Sequence, residues 1–209
     1  MASKIDHLAN AHGHGCNPTT REIFLHGEAT NDPEIEPGVE YMMAARIIKN
    51  LHLLRYASPN LPVMIHMSTI GGEWGYGMAI YDAIRAMPYH ITIVGYAHAR
   101  SMASIILQAA DHRVLMPNSC FMLHHGTTGY EGEVPTVQAG IAWETNEITP
   151  RMLDIYVEAA RGGIIWQGWS DEEIRAELVD KLDHERDIYL TPDEAVDWGM
   201  CDCVWERWE

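Results

Sequence analysis

Between Glu22 and His124, short apolar runs alternate with helical stretches, and this alternation constrains the fold more than any other feature of the chain. Glu22–Leu25 reads as a strand, followed by a Gly/Asn/Asp/Pro-rich turn from Gly27 to Gly38. Val39–Tyr56 reads as a helix, with Met42, Ala45, Ile47, Ile48, Leu51 and Leu54 mostly at helical spacing, ended by Ser58-Pro-Asn-Leu-Pro62. Val63–Met67 is the next strand, and Ser68 to Gly72 turns out of it into a helix over Gly75–Met87. A strand at Ile91–Gly95, a helix at Ser101–Ala110 and strands near Arg113–Met116 and Cys120–His124 complete the series. Repeated β-α-β units predict an α/β fold with a parallel sheet and right-handed crossovers.

A length of 209 residues with 47% hydrophobic content suits one domain with a sizeable core, expected over 21–209. Residues 1–20, rich in Gly, His and Asn, read as a mobile segment. No apolar run approaches the roughly 20 residues that cross a bilayer, and Met-Ala-Ser-Lys-Ile-Asp-His lacks the apolar centre of a signal peptide. Four dispersed cysteines favour a reducing, cytoplasmic setting. A net charge of −16 argues against nucleic acid or an anionic membrane as partner.

The chemistry concentrates where the Ile91–Gly95 run gives way to Tyr-Ala-His-Ala-Arg-Ser101-Met102-Ala103-Ser104. A serine at a strand-to-helix break has its hydroxyl lifted clear of the backbone and free helix N–H groups beside it. A histidine on the following strands could act as its base, which points to a serine hydrolase.

The C-terminal third has another texture. His125–Glu133 is extended and punctuated by glycine, and Thr136–Ala160 reads as one long helical stretch that Pro150 kinks or divides. Ile164-Ile-Trp-Gln-Gly-Trp169 connects to Ser170-Asp-Glu-Glu, a capping box opening a helix to about Leu182. Thr191-Pro-Asp-Glu194 opens a second, short helix that stops at Gly199.

Taken in order, these pieces resemble the ClpP family, the proteolytic subunits of the Clp proteases, within the wider crotonase-like fold. The resemblance runs from about Arg21 to Val204. It is carried by Ile23-Phe-Leu-His-Gly, by Gly71-Gly72 with Gly77-Met-Ala-Ile-Tyr-Asp82, and by Ser101-Met102-Ala103. Further on it is carried by Leu115-Met-Pro-Asn-Ser119 with Met122-Leu-His124, by Gly129-Tyr-Glu-Gly132, and by Glu185-Arg-Asp187 with Leu190–Gly199. It implies repeated β-α-β units with a projecting helical handle at about 125–169, and a serine endopeptidase with Ser101 as nucleophile, His124 as base and Asp187 as orienting acid. It also implies an oxyanion hole from the N–H groups of Gly72 and Met102, and peptide binding along Gly126, Gly129, Tyr130 and Gly132. The implied partners are a polypeptide substrate, further copies of the chain in stacked heptameric rings (a tetradecamer), and an AAA+ unfoldase. The chemistry calls for no metal or organic cofactor. A Walker A pattern is absent, so ATP would act on that partner.

The chain departs from the family pattern in places. Thr69-Ile70 stands for Ser-Pro before the glycine pair, Ala103 for a glycine, and Arg100 for a small residue beside the nucleophile. Met64 and His66 replace aromatic residues of the ATPase-docking pocket, and Ile164–Trp169 is a candidate insertion.

Other readings of single residues compete. A serine before an Ala-rich helix is also an ordinary N-cap. His125 adjoins His124, but successive strand residues face opposite ways. Asp183 and Glu185 compete with Asp187, and Ser104, one helical turn past Ser101, reads as packing. Cys120 and His124 lie about 13 Å apart along a strand, too far for a nucleophile–base pair. Cys201-Asp-Cys203 and His12-Gly-His14-Gly-Cys16 lack standard zinc spacing. Met42, Met43, Met64, Met67 and Met78 read as core. Two alternative functions stay open: a non-catalytic ring-forming module of the same fold, and a crotonase acting on acyl-CoA.

Overall fold

The computed structural model describes residues 4–27 and 36–206, so most of the turn expected over Gly27–Gly38 lies outside the described residues. Element order is α1 (Lys4–His14), β1 (Cys16–Asn17), β2 (Glu22–His26), α2 (Tyr41–Ala57), β3 (Val63–Thr69), α3 (Trp74–Arg85), β4 (Ile91–Arg100), α4 (Met102–Leu107), β5 (His112–Leu115) and β6 (Cys120–His124). There follow α5 (Val134–Trp143), a π turn at Glu144–Ile148, α6 (Thr149–Ala160), a 3-10 turn at Ile164–Trp166, α7 (Asp171–Glu185), β7 (Asp187–Leu190), α8 (Pro192–Asp197) and β8 (Cys203–Val204).

The sheet runs β1-β2-β3-β4-β5-β8, with β2 to β5 and β8 mutually parallel as the β-α-β alternation requires. On β2 and β3, Ile23, Leu25, Val63, Ile65, Met67 and Thr69 are buried, and the residues between them are half-exposed or exposed. This period-two pattern turns one face of the sheet to the core. Met43, Met67 and Met78 of the methionine set belong to the core; Met42 is exposed and Met64 half-buried.

β4 departs most usefully from the sequence reading. It does not stop at Gly95 but continues through Tyr96-Ala-His-Ala-Arg100 and changes partner on the way. Its first half pairs with β5, whereas His98–Arg100 pair in parallel with β6, which in turn pairs antiparallel with β7. A register shift against β3 between Met67 and Thr69 accompanies the change. Tyr96–Arg100 is the part of the strand that leaves one set of neighbours for another.

Secondary structure also occupies part of the segment read as mobile. α1 lies in residues 1–20, β1 pairs antiparallel with β2, and the buried Asn50 amide donates to His14 O at 2.9 Å. The long helical stretch is divided near Pro150, as its missing N–H requires. Thr149 N–H reaches back five residues to Glu144 O, and the π turn absorbs the lost bond before α6 resumes. No residue of α5 is buried, whereas α6 buries Met152, Leu153, Ile155, Tyr156 and Val157. The handle therefore stands off the core over α5 and joins it over α6. Both capping boxes are present, Ser170 with Glu173 and Thr191 with Glu194. Trp166, in the candidate insertion, is buried edge-on between Trp169 and Trp198 and donates to Trp198 O.

Candidate active site

Three neighbouring strands end together. The antiparallel register of β6 and β7 sets His124 directly opposite Asp187, and the parallel register of β4 and β6 sets Arg100 opposite Met122. Ser101, the next residue, donates its N–H to Met122 O at 2.9 Å. Side chains from three separate parts of the sequence thus converge. His124 Nε2 lies 2.7 Å from Ser101 Oγ, and His124 Nδ1 lies 3.1 Å from Asp187 Oδ1. The His124 side chain is 18% exposed and that of Asp187 50%, so the histidine is shielded while the carboxylate stays half in water.

Ser101 adopts φ 53° and ψ −126°, a conformation that an L-residue rarely holds and that costs on the order of 1–3 kcal/mol. Hydrogen bonds on both sides hold it. Its carbonyl accepts from Ser104 N–H at 3.0 Å and from Ser104 Oγ at 2.6 Å, while its N–H is taken by Met122. The carbonyl and N–H of a trans peptide point in opposite directions, so Met102 N–H is directed away from Ser104.

The glycine turn has matching geometry. Val39 N–H donates to Gly71 O at 2.6 Å, which turns the N–H of Gly72 away from Val39. A Cβ on Gly71, whose φ is +103°, would sit 2.7 Å from Ser101 Cβ and 2.9 Å from Met102 N. Glycine there lets the turn touch the Ser101–Met102 peptide, so two N–H groups with pinned carbonyls border the serine.

The competing acids separate. Asp183 Oδ1 lies 3.3 Å from His125 Nε2, and Glu185 pairs with Lys181. His125 is thereby engaged by another carboxylate. Cys120 is half-buried, with its thiol toward Phe121 O. Gly126–Gly132 is exposed and forms no strand. Tyr130 and Thr128 both donate to Glu144 Oε1, at 2.8 and 3.1 Å, and the Tyr130 ring covers Gly140. The Glu144 carboxylate, as hydrogen-bond acceptor, pushes the Tyr130 phenol above its ordinary range. The sequence reading missed this tether within the handle, between the glycine-punctuated segment and the π turn, and a Tyr with a Glu 14 residues on gives no local signal for it.

The chain matches the Clp protease family over residues 34–207. It belongs to that family. It is similar to the ATP-dependent Clp protease proteolytic subunit of Deinococcus radiodurans, 30% identical over 168 residues that cover 79% of this chain and 76% of that protein. It is also similar to the ATP-dependent Clp protease proteolytic subunit 2 of Pseudomonas aeruginosa, 30% identical over 182 residues, 86% of this chain and 78% of that protein. At family level the function is that of a protease, and the mixed α/β architecture with its mostly parallel sheet is consistent with the Clp protease fold. No helix among the described residues is long and apolar enough to cross a membrane.

Departures from the Clp protease pattern acquire a setting here. The Arg100 guanidinium lies over the Tyr189 ring, 5.7 Å from its centroid, and its buried Nε has no hydrogen-bond partner among the described residues. His66 lies 2.8 Å from Tyr96 Oη and 3.4 Å from Glu22 Oε1 and is stacked on Phe24. Ser104, read as packing, is fully buried and holds the Ser101 carbonyl.

Proposed function

We propose that this chain is a serine endopeptidase in which Ser101, His124 and Asp187 act as a triad. The carrying observation is the continuous path Ser101 Oγ, His124 Nε2, His124 Nδ1, Asp187 Oδ1, with contacts of 2.7 and 3.1 Å. His124 takes the Ser101 proton as Oγ attacks the peptide carbonyl. Asp187 holds the ring in the tautomer that leaves Nε2 free to accept and stabilises the imidazolium that forms. The tetrahedral oxyanion is received by the N–H groups of Gly72 and Met102. His124 then returns the proton to the leaving amine, and water, activated by the same imidazole, hydrolyses the acyl-enzyme.

Gly126–Gly132 offers main-chain groups to an extended peptide, with open space around Gly126 and Gly129, and with Tyr130 packed on Gly140 of α5 and bonded to Glu144 of the π turn. Recognition through the backbone tolerates many side chains. Val134 and Ile141, exposed and two turns apart on the same side of α5, supply an apolar face for further copies, in keeping with stacked heptameric rings around enclosed sites. The relatives are named ATP-dependent. For this chain ATP would be spent by an AAA+ unfoldase that feeds polypeptide in, and the setting is cytoplasmic. Residues 21–209 form the protease domain, and the triad's chemistry uses no metal or organic cofactor.

Ser101→Ala tests this reading. Peptide hydrolysis should disappear while circular dichroism and oligomer size stay those of the wild type. Undiminished hydrolysis would refute the triad.

A further inference from the structure

Ser104 has none of its surface exposed, and its hydroxyl is fully engaged. Its proton is directed to Ser101 O at 2.6 Å, and its oxygen lies 2.7 Å from the Tyr156 hydroxyl. A serine hydroxyl has one proton to give, so Tyr156 is the donor in the second bond. Tyr156 is completely buried on α6, and burial raises its phenol far above the ordinary range, so it stays a donor throughout the working pH range. The result is a relay from Tyr156 O–H to Ser104 Oγ–H to Ser101 C=O, linking the nucleophile's own backbone to the helix that roots the handle.

A serine in the first turn of a helix often bonds the carbonyl three residues back, and that alone requires no tyrosine. Here the accepting carbonyl belongs to a residue at φ 53°, outside any low-energy well of its own. The peptide plane between Ser101 and Met102 therefore has its direction set by what grips the carbonyl: Ser104 N–H at 3.0 Å, which side-chain variants keep, and the shorter bond from Ser104 Oγ at 2.6 Å, which completes the aim. The same plane carries Met102 N–H, and a rotation that frees the carbonyl turns that N–H by the same angle.

We propose that Ser104 and Tyr156 are positioning residues that fix the Ser101–Met102 peptide plane and so aim Met102 N–H at the oxyanion. This rests on the reading of Ser101 as nucleophile and Met102 as oxyanion donor. An aimed donor acts on the transition state far more than on bound peptide, so its loss of aim lowers kcat and leaves KM nearly untouched. Both residues work through one carbonyl, so their effects overlap rather than multiply.

The test uses the full chain in its native assembly, with Tyr156→Phe, Ser104→Ala and the double variant. It measures kcat and KM on a fluorogenic peptide, the rate of fluorophosphonate labelling of Ser101, and the melting temperature. Tyr156→Phe keeps the ring and its packing. Each single variant should lose about tenfold in kcat, part of the roughly 10²–10³ that one oxyanion donor supplies. KM should stay within about twofold, labelling should slow, and the double variant should be no worse than the poorer single. Wild-type kcat in both single variants, whatever their melting temperature, would overturn the proposal and leave the triad standing. So would losses confined to KM, or losses that multiply in the double variant. A wild-type protein that neither labels at Ser101 nor cleaves peptide would overturn the triad and this inference together.

Discussion

Asp187→Asn separates what the carboxylate does for rate from what it does for stability. The Asp187 side chain is 50% exposed, so its pair with His124 is largely screened and contributes about 0–1 kcal/mol to folding. For a chain of this size that is a fall of less than about 4 °C in melting temperature. The kinetic effect is of another order. The amide can present N–H to His124 Nδ1 and so stabilise the tautomer whose Nε2 carries the proton, useless as a base toward Ser101. At a buried aspartate this costs about 10⁴ in rate. A half-exposed amide can turn its oxygen toward Nδ1 part of the time, so we expect a smaller loss in kcat, about 10²–10³, equivalent to about 2.7–4.1 kcal/mol. The assay is hydrolysis of a fluorogenic peptide beside a thermal melt. Asp183→Asn is the control, because Asp183 pairs with His125 instead. Full activity in Asp187→Asn with a dead Asp183→Asn would refute the assignment of the acid.

Gly77→Ala would place a Cβ 2.1 Å from Met102 Cγ, so it should destabilise the protein by about 1–3 kcal/mol, yet be neutral or stabilising in a Met102→Ala background. Loss of the same size in both backgrounds, read by denaturant melts, would refute that contact as the cause. A Cβ at Gly129 would meet open space, and Gly129→Pro removes that residue's backbone donor. Peptide turnover should fall several-fold more than hydrolysis of a small ester, and equal losses would refute strand-like peptide binding. Ile141→Glu alters an exposed residue on a helix with no buried residues, so it should leave helicity unchanged and reduce the mass measured by light scattering. An unchanged mass would refute α5 as an assembly face.

Much of this arrangement was legible from local rules. The β-α-β alternation, the two capping boxes and the strand-to-helix break at Ser101 each depend on residues close in sequence. What escaped depends on distant partners. β4 continues past Gly95 because β6 receives its second half, and nothing within Tyr96–Arg100 announces that exchange. Helical periodicity marks 136–160 as amphipathic but does not distinguish α5, uncovered in the chain, from α6, packed on the core. Asp187, Asp183 and Glu185 are chemically alike, and it is the β6–β7 register that sets one of them across from His124. Ser104 gave a partial cue, one turn from Ser101, whereas its partner Tyr156 is 52 residues away.

The central claim, that Ser101 is the nucleophile, is tested most directly by mapping a fluorophosphonate adduct on the native protein by mass spectrometry. The account predicts one adduct per chain, on the peptide containing Ser101, absent from Ser101→Ala and strongly slowed in His124→Ala. An adduct on another residue, or peptide hydrolysis that continues at the wild-type rate once every Ser101 carries the label, would contradict it.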